Sequence, residues 1–366
     1  MIRHHTQTAL ALLVALFCLL VGCAPESEEP PTAVAMREVT DCLGRQVVLP
    51  AKIERVVCIG AGALRLYCYV GEVENLVGVE ACEKGFLFSF RPYQDAHKEL
   101  FRTLPTIGSG GPGGALDPEA LLACRPQVIF STFYSSPGEM EKLQRDTGIP
   151  VVVLHYGTQE VFDPMVDRSL EILGTVLNRQ PRATEVRKYI QGLQSDLERR
   201  TAGIPETERP RVYLAGHPRF GLQGFGSTLA HSPLLQALHA KNAVDELPGG
   251  AGPRRLTLEE VLTLDPQVVF LDDSATPIVQ DEFQKRPEVF RLMTAIRDGR
   301  IHRILPYNAY YTNLEMAYAD GYLMGKALYP SAFQDVDPRQ KAAEIAEFLL
   351  GVPVEIPWPE DTALLP

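Results

Sequence analysis

Two glutamates occupy the same slot of a repeated phrase. Residues 116–130 read LDPEALLACRPQVIF and residues 256–270 read LTLEEVLTLDPQVVF, identical at seven of fifteen aligned positions, with Glu119 and Glu259 matched 140 residues apart. In each copy the carboxylate falls near the start of an expected helix, where the helix dipole favours negative charge by roughly 0.3–1 kcal/mol. Tyr307, Tyr310 and Tyr311 follow a β-favouring run that ends at Pro306, and each couples an aromatic face to a hydrogen-bonding tip. The turn Gly60-Ala61-Gly62 lies between a strand-like and a helix-like run, where a dinucleotide-binding fingerprint would stand. His155, His217 and Asp272 are residue types that hold zinc or manganese.

Several chemistries lose support on the residues themselves. The dinucleotide fingerprint needs a third small residue in G-x-G-x-x-G/A, and that slot holds Arg65, which argues against an NAD-dependent enzyme. No G-x-S-x-G, H-E-x-x-H or G-K-[ST] motif supports a hydrolase or NTPase. Nothing in the spacing of His155, His217 and Asp272 demands a metal. A formal net charge of −11 over 366 residues argues against a nucleic-acid partner, which usually meets a basic face. Five cysteines beyond the leader, Cys42, Cys58, Cys68, Cys82 and Cys124, form no CxxC motif and read as small buried hydrophobes, with one or two disulfides conceivable.

The elements that must position these residues alternate. REVTDCLGRQVVLP (37–50) reads as a β-hairpin; RVVCI (55–59), NLVGVE (75–80), PQVIFST and IPVVVLHY (149–156) read as strands separated by helices. A long helical region follows, broken at Pro181, with Val186, Tyr189, Ile190, Leu193 and Leu197 at helical spacing in 182–200. Then the pattern restarts: RVYLAG (211–216), PQVVFLDD and IHRILP (301–306) are strands, and PRQKAAEIAEFLLG is an amphipathic helix. The fold class is therefore α/β, two Rossmann-like lobes with mainly parallel sheets joined by one long interlobe helix. The N-terminal lobe is 37–160, the helical region 161–209 and the C-terminal lobe 210–366.

The N-terminus carries a different message. Ala9 to Val21 is an apolar run of 13 residues without charge, too short for a bilayer span of about 20 residues and suited to a secretory leader. It ends in LLVGC, which resembles a lipobox, so 1–22 is expected to be a lipoprotein signal peptide, with Cys23 cleaved at its amino side and acylated. Residues 23–36, acidic and Pro-rich, are expected to be a flexible tether.

The order of these features carries a resemblance: lipobox, acidic tether, the D-x-x-G-R-x-V hairpin (Asp41, Gly44, Arg45, Val47), the strand RVV, a helix followed by a P-x-V strand in both lobes, and a Tyr/Asn-rich segment before a helix. Together they resemble the substrate-binding lipoproteins of ABC importers for iron-siderophores, haem and cobalamin, whose two lobes are joined by one rigid helix. Gln127 and Gln267 stand where that family often has Asp after Pro. The resemblance implies a monomeric, non-enzymatic protein that works with a permease dimer and its ATPase, extracytoplasmic and lipid-anchored. It implies that Glu119 and Glu259 dock on the permease, and that the ligand is a metal chelate, a ferric siderophore first, with cobalamin or haem as alternatives and direct Zn/Mn binding as a more distant one.

Ligands of open α/β sheets bind beyond the carboxyl ends of the strands. On that rule the first lobe offers Tyr134 and Tyr156, and the second His217, Arg219, Phe225, Arg254, Tyr307, Tyr310 and Tyr311. Aromatic area with a few forked cations suits a flat or greasy chelate that carries negative charge.

Overall fold

The computed structural model describes residues 35–85, 90–111, 114–133, 137–158, 161–218 and 221–359. The lipobox cysteine Cys23, most of the tether, Tyr134 and Arg219 lie outside the described residues.

The chain opens with the antiparallel hairpin β1 (Met36–Thr40) and β2 (Gln46–Pro50). Asp41 explains its motif. The buried carboxylate accepts from the amides of Leu43 and Arg45 at 2.9 and 3.0 Å and pairs with the Arg45 guanidinium at 2.6 Å. Gly44 supplies the left-handed turn, and Arg45 also reaches the Val151 carbonyl at 2.8 Å, seating the hairpin on the first sheet.

That sheet contains β3 (Val56–Ile59), β4 (Leu76–Gly78), β5 (Val128–Ser131) and β6 (Val151–Val153), all parallel, in the order β4-β3-β5-β6. Helix α1 (Ala63–Val70) follows β3 and α2 (Pro118–Ala123) precedes β5. Two long helices come next, α3 (Pro164–Leu177) and α4 (Gln180–Thr201). The break between them is at Asn178, left-handed at φ 55°, rather than at Pro181. Pro181 lies in the first turn of α4, where its missing N–H has no helical partner to lose.

The second lobe repeats the first. Its parallel sheet contains β7 (Arg211–Ala215), β9 (Lys241–Asn242), β11 (Val268–Asp272) and β12 (Ile301–Ile304), in the order β12-β11-β7-β9. Both lobes place their first strand, β3 or β7, and the strand of the repeated phrase, β5 or β11, side by side at the centre of the sheet. A short antiparallel pair, β8 (Ser227–Ala230) with β10 (Gly252–Arg255), was not foreseen, because STLA and GPRR carry no alternating pattern. Helix α5 (Leu258–Leu264) leads into β11; α6 (Leu314–Leu328) and α7 (Pro338–Leu350) close the chain.

The phrase repeated in the sequence builds the same device twice. Asp117 caps α2 through the Ala120 amide, and Thr257 caps α5 in a reciprocal box with Glu260. Both helices end on a left-handed residue before proline, Arg125 and Asp265. The Gln127 side-chain oxygen then accepts from the amides of Glu54 and Arg55 at 2.7 and 3.1 Å, and that of Gln267 from the Arg211 amide at 2.8 Å. Each glutamine ties the start of one strand to the start of its neighbour.

Strand side chains alternate between two cores, as a pleat requires. Val56, Cys58, Val128 and Phe130, with Val212, Leu214, Val268 and Phe270, enter one central cluster that also takes Val186, Ile190, Leu193 and Leu197 of α4. Val57, Ile59, Ile129 and Val151 face a cluster private to the first lobe, and Tyr213, Ala215, Val269 and Leu271 one private to the second. Arg182 and Arg200 clamp the ends of α4, on the carbonyls of Tyr69 and Leu349 and on Asp335. Helix α7 packs on both α6 and α1, so a second element braces the lobes beside the covalent helix. Cys42, Cys58, Cys68, Cys82 and Cys124 are free thiols.

Candidate functional site

The site is built from the loops that leave the parallel strands. After β3, Gly60 and Gly62 adopt φ 88° and 81°. A Cβ at Gly60 would stand 2.7 Å from the Thr132 hydroxyl, and one at Gly62 2.6 Å from the Tyr156 ring. The glycines are thus required both by conformation and by how closely the loops after β5 and β6 approach. The Gly60 amide donates to Glu80 at 3.0 Å, Thr132 donates to the Ala61 carbonyl at 2.9 Å, and the Tyr156 hydroxyl donates to the Gly62 carbonyl at 3.0 Å. Glu80 is buried, and that burial pushes its carboxyl up to about 7 against the opposing bonds from Tyr310 and Gly60.

On the second lobe, His217 follows β7, buried, with its ring 6.4 Å from that of Tyr307. Asp272 ends β11, accepts from the Ser274 amide and hydroxyl, and is driven up to about 7, by burial first. The loop after β12 closes on itself through an Asn308–Thr312 bridge. Within it Tyr310 and Tyr311 are both left-handed, at φ 51° and 68°. Such a conformation costs a bulky residue on the order of 1–3 kcal/mol and persists only where the surroundings hold it.

The surroundings belong to the other lobe. Arg65 of α1, with no exposed surface, donates to the carbonyls of Thr312, Ala309 and Tyr310 at 2.7, 3.2 and 3.2 Å, and to the Tyr156 hydroxyl at 3.2 Å. Burial disfavours its charge, but Tyr156, Tyr93 and Glu315 around it outweigh that and hold the guanidinium protonated. The Tyr310 hydroxyl donates to Glu80 at 2.9 Å, and the Tyr311 ring packs on Tyr156 at 4.6 Å between centroids.

Of the residues expected at a ligand site, the structure brings Tyr156, Tyr310 and Tyr311 together at this seam, with Tyr307 and His217 behind them in the second lobe. Phe225 is committed to packing, buried against Tyr213 and Phe290. Arg254 turns onto its own loop, donating to the carbonyls of Pro248 and Gly250. His155, Asp272 and His217 do not form a cluster able to share one ion; among the described residues that geometry occurs at Glu80, Cys82 and Glu83. There Glu83 is already engaged by Arg91 and Tyr93. Glu119 and Glu259 lie exposed in the first turns of α2 and α5. Glu259 pairs with Arg286 at 2.6 Å, which lowers its carboxyl from the ordinary range. Sequence reasoning missed Arg65, Glu80 and Tyr93 as site-builders. The one signal for Arg65 was its misfit in the glycine motif.

Two parallel-sheet lobes of like strand order, meeting at their carboxyl edges beside one long helix, define a two-lobed solute-binding architecture. The chain belongs to the periplasmic binding protein family, whose sequence model matches residues 56–307. It is similar to the molybdate-binding protein MolA of Haemophilus influenzae, 26% identical over 337 residues that cover 87% of this chain and 92% of that protein. It is also similar to the uncharacterized ABC transporter substrate-binding lipoprotein YvrC of Bacillus subtilis, 19% identical over 81% of this chain and 88% of that one. Among solved structures, molybdate-bound MolA superimposes with a TM-score of 0.65 at 21% identity, covering 87% of this chain and 98% of that one. The haem-binding protein HmuT does so at 0.53 and 16% identity, covering 84% and 94%. The protein is therefore an ABC importer substrate-binding protein, a component that works with a permease and an ATPase. Among the described residues no helix is long and apolar enough to cross a membrane.

Proposed function

We propose that the protein captures a compact metal oxyanion of the molybdate type in the seam between its lobes and delivers it to a permease docked on Glu119 and Glu259. The seam carries this reading: Arg65 and Tyr310 bond directly across it, a separation that suits a small solute better than a bulky chelate. The likeness to MolA supports the same choice. An oxyanion has acceptors only; the Gly60 amide and Tyr310 hydroxyl now donate to Glu80, and an arriving oxyanion would take these donors over from that carboxyl. Arg219, which follows β7 in sequence, is the cation proposed to complete the charge.

The ferric-siderophore reading stands second, favoured by the clustering of Tyr156, Tyr310 and Tyr311; haem and cobalamin share that argument. Thermal-shift titration of the purified mature domain decides between them, with sodium molybdate, sodium tungstate, sodium sulfate, ferric hydroxamate and catecholate chelates, haemin and cyanocobalamin as ligands. Molybdate and tungstate are expected to raise the melting temperature at micromolar concentration. A shift with a ferric chelate alone would replace the first reading with the second. Acylation at Cys23, anchoring the body on the outer side of the cell membrane, belongs to the same proposal, and intact-mass analysis of the native protein checks it.

A further inference from the structure

Arg65 breaks the glycine motif it follows, and its surroundings account for the substitution. All four hydrogens of its terminal nitrogens are used, three on carbonyls of residues 309–312, some 245 positions away in the chain, and one on Tyr156. The guanidinium also lies 4.8 Å over the Tyr93 ring. We propose that Arg65 is the positioning residue of the cleft: its fork holds the loop 307–313 of the second lobe in the shape that presents Tyr310 and Tyr311 to the first, and so sets the separation of the lobes before any solute arrives.

Three observations carry this beyond ordinary core packing. Arg65 makes these bonds to backbone rather than to a carboxylate, so it reads the path of the loop and not merely a charge. That path includes two consecutive left-handed tyrosines, a conformation that needs external support. Tyr156 also links both sides: its ring packs on Tyr311 of the second lobe while its hydroxyl accepts from Arg65 and donates to the Gly62 carbonyl, so the first-lobe glycine turn and the second-lobe loop meet on one side chain. A lysine at 65 has three donors on a single nitrogen and cannot reproduce a planar fork spread over three carbonyls.

The inference rests on the seam being the solute site but not on which solute binds, and its test needs no ligand. Hydrogen exchange is followed in the ligand-free mature chain for wild type, Arg65→Gln, Arg65→Lys and Tyr156→Phe. The reporter is the Asn313 amide, held on the Tyr307 carbonyl at 2.7 Å. In both Arg65 variants this amide is expected to exchange at least about tenfold faster, while amides of β7 and β11 keep their wild-type rates, as for a local opening. Tyr156→Phe should give a smaller change of the same kind, and it serves if the Arg65 variants do not fold. Wild-type exchange at Asn313 overturns the proposal. So does equal acceleration throughout both sheets, which would make Arg65 a residue of global stability only. Failure of molybdate to bind would leave these outcomes unaffected.

Discussion

Glu80 and Asp272 are buried carboxyls that favour the protonated form when folded. Glu80 rises from 4.5 and Asp272 from 3.8, each to about 7, with burial the leading cause. The folded state therefore holds more protons than the unfolded chain between those limits, and stability falls as pH rises through that window. Chemical denaturation is expected to show a more stable protein at pH 5.5 than at pH 8. Glu80→Gln, which cannot titrate, should flatten part of that slope while keeping an oxygen for the Gly60 amide and Tyr310 hydroxyl. An unchanged slope in the variant would show that Glu80 does not titrate in this range. Tyr310, Tyr311 and Tyr156 were readable as candidates because strand ends announce where loops emerge. Phe225 was not separable from them, since a phenylalanine that lines a cleft and one that fills a core look alike in sequence.

Two glutamines show how much of an element is written locally. Gln127 and Gln267 stand in equivalent slots, and the P-Q-V strands they begin were legible as strands; their bonds to Glu54, Arg55 and Arg211 were not, because those partners are 56 to 73 residues distant. Gln127→Ala removes an acceptor from two amides and is expected to lower unfolding free energy by about 1 kcal/mol, with Gln267→Ala, serving one amide, lower in effect. Urea denaturation of both variants checks the order. Gly192 lies on the exposed face of α4, where an added methyl group would meet open space. Gly192→Ala should stabilise the protein by roughly 0.5–1 kcal/mol, raising the melting temperature; a decrease would mean that the helix needs its glycine.

At the scale of the molecule, duplication places one exposed carboxylate near the start of each paired helix. Glu119→Ala combined with Glu259→Ala is expected to abolish uptake in cells while solute affinity of the purified protein stays at wild type. Normal transport by the double variant would remove docking from the account. Arg286, paired with Glu259, has no counterpart bonded to Glu119 among the described residues, so the two lobes do not present their carboxylates identically. The central core takes side chains from both sheets and from α4, and α7 braces α1. Closure on solute binding should therefore be small, on the order of a few degrees, and X-ray scattering with and without ligand measures it; a large compaction would contradict a braced body.

The sequence by itself determined the α/β class, the duplication, the hairpin, the helix starts and the positions of most strands. The duplication shows as a phrase repeated 140 residues on, and the rest follows from periodicity, caps and turn residues acting within a few positions. Only the tertiary structure decided that Arg65 serves the opposite lobe, that Tyr310 meets Glu80 across 230 residues, and that Phe225 and Arg254 face inward or onto their own loop. Those outcomes depend on which surfaces meet when the two sheets are brought edge to edge. No local pattern encodes that meeting, because its free energy arises from burial and hydrogen bonds formed only once the lobes are together.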